Sequence, residues 1–395
     1  MDKRLSVIMV MLITIFLGFG IIIPVLPEMI TETGNERFHL YVMLAVYSAT
    51  SFLFSPMWGA LSDRIGRRPV LLAGIFGFAG SFLLFGVSNG DLVLMYASRV
   101  LGGIFSGATT SCAVAYVADI TSEEKRTRAM GLVGMSIGLG FIFGPGIGGL
   151  LSVFGNMMPF FAAAAVSLLN FIFAYFWLSE SISAEDRLGK ARPQGSRWSA
   201  FRGAIRYLFA IAFLMTFALA GMESTLQYFG IERFQATPKD IGAMFFISGI
   251  VGALVQGGFV RRYAKKGTEA SLIKIGLIIQ AIGFILLLFS SNVWTASLYL
   301  SIFVIGNSLI RPCVTSLITQ TTTAGQGVTS GLSSSMDSLG RIVGPLLAGG
   351  LFEWNIAMPF VIGAVVSVLG IVLLNLYLIR RQELIRGSSI GEPHS

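Results

Sequence analysis

The feature that most constrains this chain is a recurring apolar run. Segments of about 18 or more residues, nearly free of charge and long enough to cross a ~30 Å hydrocarbon layer as helices, follow one another along all 395 residues. Inside lipid each backbone polar group must find its partner within the protein, which leaves helices or closed barrels. Runs of this length fit helices. Twelve spans are predicted, at 5–27, 38–61, 69–89, 92–118, 127–154, 157–178, 204–229, 240–260, 270–290, 293–318, 327–352 and 356–379. Composition agrees: 12% of residues are charged and mean hydropathy is +0.78, where a soluble domain carries about a quarter charged residues. The expected fold class is an all-α polytopic membrane protein. No small-residue cleavage site follows the first apolar stretch, so it reads as an uncleaved helix rather than a signal peptide.

The net charge of +8 is explained by placement. With the N-terminus inside, the cytoplasmic segments hold 21 Lys and Arg, among them Lys3, Arg64, Arg67, Arg68, Arg126, Arg261 and Arg380. The outer loops hold Arg37, Arg233 and Lys239 only. This is the positive-inside asymmetry; it predicts cytoplasmic termini in the cell membrane, with lipid rather than nucleic acid as the partner. Cys112 and Cys313 fall in spans and read as small packing residues, while His39 and His394 lie outside them. Neither a metal site nor a His-based triad is therefore expected within the membrane, and no Walker motif points to ATP. A cofactor-free non-enzyme is expected.

The chain also repeats itself. Offset by 200 residues, 131–169 aligns without a gap to 331–369, with Gly131, Gly140, Gly144, Pro145, Gly149, Met158, Pro159 and Phe160 recurring in register. The expected organisation is a six-helix bundle over 1–179, a cytoplasmic linker at 180–203, a second bundle over 204–379 and a cytoplasmic tail at 380–395. An amphipathic piece is expected around Trp198 in the linker. A duplicated six-helix unit in parallel repeat is the design of major-facilitator transporters, with substrate near the midplane.

Local motifs sharpen this reading. "GALSDRIGRRPVLL" (59–72) joins spans two and three; Gly59 and Gly66 give tight backbone, and Asp63, among Arg64, Arg67 and Arg68 of this loop, is placed to exchange ion-pair partners. It resembles the signature loop of the major facilitator superfamily, which implies a conformational gating role for Gly59, Asp63, Arg64, Gly66 and Arg67, together with Asp119 and with Gly144, Pro145, Gly148 and Gly149 of span five, as the halves rock. Arg99 in "SRVLGGIFSGATTS" lies in an apolar helix, where a base costs about 2.5–3.5 kcal/mol; it faces a cavity or partner, or snorkels outward. Asp119, at the inner end of that helix, pairs with Arg67, Lys125 or Arg126. Span five carries Gly140, Gly144 and Gly148, a stripe for close helix approach, with Pro145 and Gly149 beside it. Its Gly-x-x-x-Gly-Pro-x-x-Gly-Gly run resembles the motif that marks antiporters of the superfamily. Pro24 and Pro27 end the outer half of span one.

Over nearly the whole chain the sequence resembles the twelve-helix drug:proton antiporters, closest to the NorA/Bmr-type multidrug exporters. That resemblance implies a proton-driven exporter of amphipathic, often cationic, small molecules, powered by the proton gradient, and a monomer is expected. It puts Glu223 of span seven, Arg311 of span ten and Arg99 at proton or cation coupling, with Glu223 left open between a cavity acid and a helix-end acid. It puts Phe16, Phe19, Tyr47, Phe141 and Met222 along the substrate cavity. The family's second acid, three residues before Arg311, is Ser308 here. Asp337 and Arg341 replace Ile137 and Phe141 of the repeat. Either they bridge each other at i,i+4, or Asp337 stands in for the acid missing at 308 and alternates between Arg341 and Arg311. A narrower exporter, of a tetracycline-like compound or a sugar, is the alternative.

The topology has a direct test. With Cys112 and Cys313 replaced by serine, Gly195→Cys should resist a membrane-impermeant thiol reagent in intact cells and react in everted vesicles. Labelling in intact cells would reverse the assigned orientation.

Overall fold

A computed structural model describes residues 3–29, 35–181, 203–260, 262, 267–321 and 326–389. Among these residues the elements are helical. They are α1 (Lys3–Met29), α2 (Glu36–Ile65), α3 (Arg67–Gly86), α4 (Leu92–Ile120), α5 (Glu123–Leu151) and α6 (Met158–Trp177). The second set is α7 (Ile205–Phe234), α8 (Pro238–Leu254), α9 (Glu269–Leu287), α10 (Val293–Thr321), α11 (Gln326–Trp354) and α12 (Met358–Ser389). A π-helical turn, Val255–Val260, continues α8.

Each expected span has its helix, and eleven helices are apolar and long enough to cross a membrane. The exception is α11, which contains Asp337 and Arg341. Pro24 and Pro27 do not end α1, which runs through both to Met29. The linker expected around Trp198 lies outside the described residues. Large side chains such as Phe154, Phe176, Trp294 and Trp354 are exposed at helix ends, a pattern suited to aromatic belts in a bilayer.

Two compact units divide the chain. Unit 1 is Met1–Arg192 with Leu226–Gly249, and unit 2 is Pro193–Thr225 with Ile250–Ser395. The end of α7 and most of α8 thus belong with the first six helices, unlike the six-plus-six division of the sequence. Within unit 1, Tyr228 stands edge-on to Tyr41, Arg37 bonds Glu232, and Gly149 and Gly242 meet backbone to backbone. A ladder of Phe78, Phe82, Phe85 and Phe160 fills part of the core. In unit 2, Phe209, Ile273, Ile310, Leu317 and Tyr377 belong to one buried cluster.

The repeat has a physical basis in glycine contacts. A Cβ at Gly140 would stand 2.7 Å from Ile13 O and from Phe16 Cβ, and one at Gly144 would stand 2.6 Å from Leu17 O. In unit 2 the same register recurs: a Cβ at Gly340 would lie 2.8 Å from Phe217 N, and one at Gly344 would lie 2.6 Å from Phe217 O. So α5 lies on α1 as α11 lies on α7, each through absent side chains.

Backbone cannot yield as a side-chain tip can. Gly144→Val should therefore destabilise the protein by about 1–3 kcal/mol, the usual range for overpacking. Gly134→Ala, on α5 with open space around it, should be neutral or stabilise by up to about 1 kcal/mol. Thermal unfolding of both variants in one detergent checks the contrast.

Candidate functional site

The α2–α3 junction is a single residue. Gly66 has φ 107°, a left-handed conformation that only glycine adopts freely, and its N–H bonds Ser62 O at 3.0 Å. Gly59 instead sits inside α2 with open space around it, so the tight backbone expected there is confined to Gly66. The turn buries Arg67. Its guanidinium reaches Asp63 Oδ1 at 2.6 Å and Asp119 Oδ2 at 3.2 Å, and it also donates to Ser62 Oγ. Of the partners considered for Asp119, Arg67 is the one observed; the side chains of Lys125 and Arg126 lie outside the described residues. Arg64 faces out.

Sequence reasoning missed the third carboxylate here. Glu180, just past α6, accepts from the backbone N–H of Arg67 at 2.8 Å and of Arg68 at 3.2 Å. These are free donors at the start of α3, where a negative charge is favoured. Arg68 in turn donates to Tyr175 O at 2.7 Å. Glu180 was legible as an acid just past a span, but not as a cap on a helix 113 residues earlier.

Arg99 does not snorkel. It is 2% exposed, with its guanidinium 4.6 Å from the Phe85 ring centre, 5.5 Å from Phe82 and 5.9 Å from Tyr47. Ser98 Oγ accepts from it at 3.2 Å. Aromatic faces here replace an acid as the counter-charge. Tyr47 also touches Phe19 at 5.3 Å between ring centres; Phe19 meets Phe141 at 5.5 Å, and Phe141 meets Phe16 at 4.8 Å. Four of the residues named for the cavity thus form one aromatic chain in unit 1.

At repeat-equivalent positions unit 2 carries polar and charged groups. Thr216, opposite Gly340 as Phe16 is opposite Gly140, donates to Asp337 Oδ1 at 2.7 Å. Arg311 of α10 reaches Asp337 Oδ2 at 3.3 Å. The i,i+4 bridge to Arg341 is thus not the ion pair that Asp337 makes, because Thr216 and Arg311 draw its carboxylate to α7 and α10. Arg341 is buried and acts electrostatically on Glu223, as Arg311 does. Glu223 is 7% exposed, and its Oε2 has no hydrogen bond among the described residues. Since α7 continues to Phe234, Glu223 is not a helix-end acid. Met222 beside it and Ser308, one turn before Arg311, are both buried.

Members of the Arg67 cluster differ in how firmly they are held. Asp63 is 47% exposed and Arg67 only 7%, so Asp63→Asn should cost under about 1 kcal/mol. Arg67→Gln leaves Asp63 and the part-buried Asp119 without their shared base and should cost about 3–5 kcal/mol. Melting temperatures of the purified variants decide between this ranking and a merely basic loop.

Comparison with known proteins gives consistent matches. The sequence model of the Major Facilitator Superfamily matches residues 8–326 and 266–393. Multidrug resistance protein 2 of Bacillus subtilis (strain 168) is 34% identical over 362 residues, covering 90% of both chains. Quinolone resistance protein NorA of Staphylococcus aureus (strain COL) is 30% identical over 377 residues, 94% of this chain and 96% of its own. Among solved structures, the human organic anion transporter MFSD10 (TETRAN) superposes with a TM-score of 0.74 at 26% identity, covering 94% of this chain and 99% of its own.

Proposed function

The chain belongs to the Major Facilitator Superfamily, and from that premise we propose that it exports amphipathic, often cationic, small molecules in exchange for protons by alternating access. It is a multi-pass membrane transporter whose relatives include multidrug-resistance proteins. The exchange with protons, the cell membrane as its site and the cytoplasmic termini are parts of the proposal.

The observation that carries it is Glu223. A carboxylate buried mid-span is costly unless its charge is matched. Two arginines act on it electrostatically, yet one of its oxygens has no hydrogen-bond donor among the described residues. Such an oxygen suits a proton or a substrate cation, and occupancy by one excludes the other. Competition of this kind couples an inward proton to an outward drug, since each ligand shifts the population of conformations it binds best. The aromatic chain from Phe16 to Tyr47 gives unit 1 an apolar surface of its own. Arg67, bound to Asp63 and Asp119 and with Glu180 on its backbone N–H, makes the α2–α3 junction a latch that such a conformational change has to release.

The test is uptake of a cationic dye by everted vesicles with a proton gradient imposed and ATP withheld. The wild type should accumulate the dye. Glu223→Gln should reach the membrane at normal abundance and lose about tenfold or more of the gradient-driven rate, the equivalent of about 1.4 kcal/mol. Unchanged transport by that variant would remove Glu223 from the mechanism, and failure of the wild type would remove the proposal.

A further inference from the structure

We propose that the Asp337–Arg311 pair is the docking site for zwitterionic amphipathic solutes, taking an ammonium group on Asp337 and an anionic group on Arg311. This deepens the export reading and rests on it. The pair lies wholly in unit 2, on α11 and α10, and its side chains are 30% and 36% exposed. It borders a cavity whose lining includes Met215, Leu219, Asn307 and Val314, a mixture of apolar walls and a polar amide. A pair this open contributes little to folding, so separating it is not costly.

The two partners are unequally held. Thr216 donates to Asp337 Oδ1 at 2.7 Å and Arg311 to Oδ2 at 3.3 Å, so the Thr216 bond does not depend on Arg311 staying in place. The carboxylate is therefore pre-positioned, and Arg311 is the part that moves. Charge balance then selects the ligand class. Glu223, Asp337, Arg311 and Arg341 sum to zero when all four are ionised. A simple cation that displaces Arg311 leaves that guanidinium without its acid; a simple anion on Arg311 leaves Asp337 without its base. A zwitterion inserted between them supplies both missing partners and leaves the sum at zero. At this partial exposure an unmatched charge carries a moderate penalty rather than the full cost of a buried one, so a moderate discrimination among these three ligand types follows from the pair itself.

Repeat symmetry argues that this is a specialised surface. Where unit 1 has Ile137 and Phe141, and Phe16 opposite Gly140, unit 2 has Asp337 and Arg341, and Thr216 opposite Gly340. The helix contacts beneath are the same in both units. The polar groups are additions to a scaffold that packs without them.

The experiment uses the full-length purified protein and three fluorescent probes on one aromatic scaffold. They are an amine–carboxylate zwitterion, its methyl ester (a cation) and its N-acetyl derivative (an anion). The wild type should bind the zwitterion about tenfold more tightly than either derivative. Asp337→Asn should erase the preference over the anion, and Arg311→Gln the preference over the ester. Should either single variant misfold, the exchanged pair Asp337→Arg with Arg311→Asp keeps both charges and should retain a zwitterion preference. Thr216→Val should weaken binding of the zwitterion and of the ester several-fold while leaving the N-acetyl anion unchanged. Equal or tighter binding of the ester by the wild type overturns the proposal, as does a ratio that no variant moves. Vesicle export of the ester read alongside separates the two readings. Ester exported with no zwitterion preference sinks the pair's role alone, whereas a zwitterion preference with no probe exported sinks export alone.

Discussion

Close approach of helix backbones through glycine is the constraint on which the other features depend. Lipid tails are as apolar as leucine, so helices in a bilayer gain nothing from merely hiding apolar surface against each other. They associate through packing and polar contacts, and packing is best where no side chain intervenes. Gly140 and Gly144 set α5 on α1, and Gly340 and Gly344 set α11 on α7, in one register. That register fixes which residues lie beside the contact. It brings Phe16 to Phe141 in unit 1, and Thr216 to Asp337 in unit 2.

From that shared frame the two units diverge in chemistry. Unit 1 places rings together, and its buried mid-helix base Arg99 is enclosed by rings. Unit 2 places charges together, with Glu223, Asp337, Arg311 and Arg341 contributed by three helices. An aromatic surface accommodates many apolar shapes, whereas charged groups at fixed positions discriminate by sign and spacing. Duplication supplies the frame, and substitution at a few equivalent positions changes its chemistry.

Much of this was legible in the sequence for physical reasons. Span lengths are set by the bilayer, so every helix from α1 to α12 could be placed from apolar runs, even α11 with its two charges. The left-handed turn at Gly66 and the reach of Arg67 to Asp119 follow from a short loop and opposite charge. What stayed hidden were partnerships set by three-dimensional approach. Glu180 caps α3 from the end of α6, and nothing in its local sequence says so. Thr216 is a single hydroxyl in an apolar run, which could as well bond its own helix; only the register of α7 on α11 makes it a donor to Asp337. Likewise i,i+4 spacing allowed an Asp337–Arg341 bridge, and contact with α10 supplied Arg311 instead. Gly59 shows the opposite failure, a glycine read as a turn that lies within a continuous helix.

The same rule of burial separates the ionic groups by what they can do. Arg67 is buried and bound to two carboxylates, with a third fixing its backbone. Releasing it exposes several partners at once, so it changes state only when whole helices move together. The Asp337–Arg311 pair is half-exposed and joined by one contact at 3.3 Å, so a small ligand can open it. Glu223 lies between these limits, buried like Arg67 but with an oxygen left unbonded among the described residues. A proton is small enough to reach such an atom without parting the helices around it. On the proposed function, burial and partner number grade the charges from a latch worked by helix motion, through a proton site, to a pair that a solute separates.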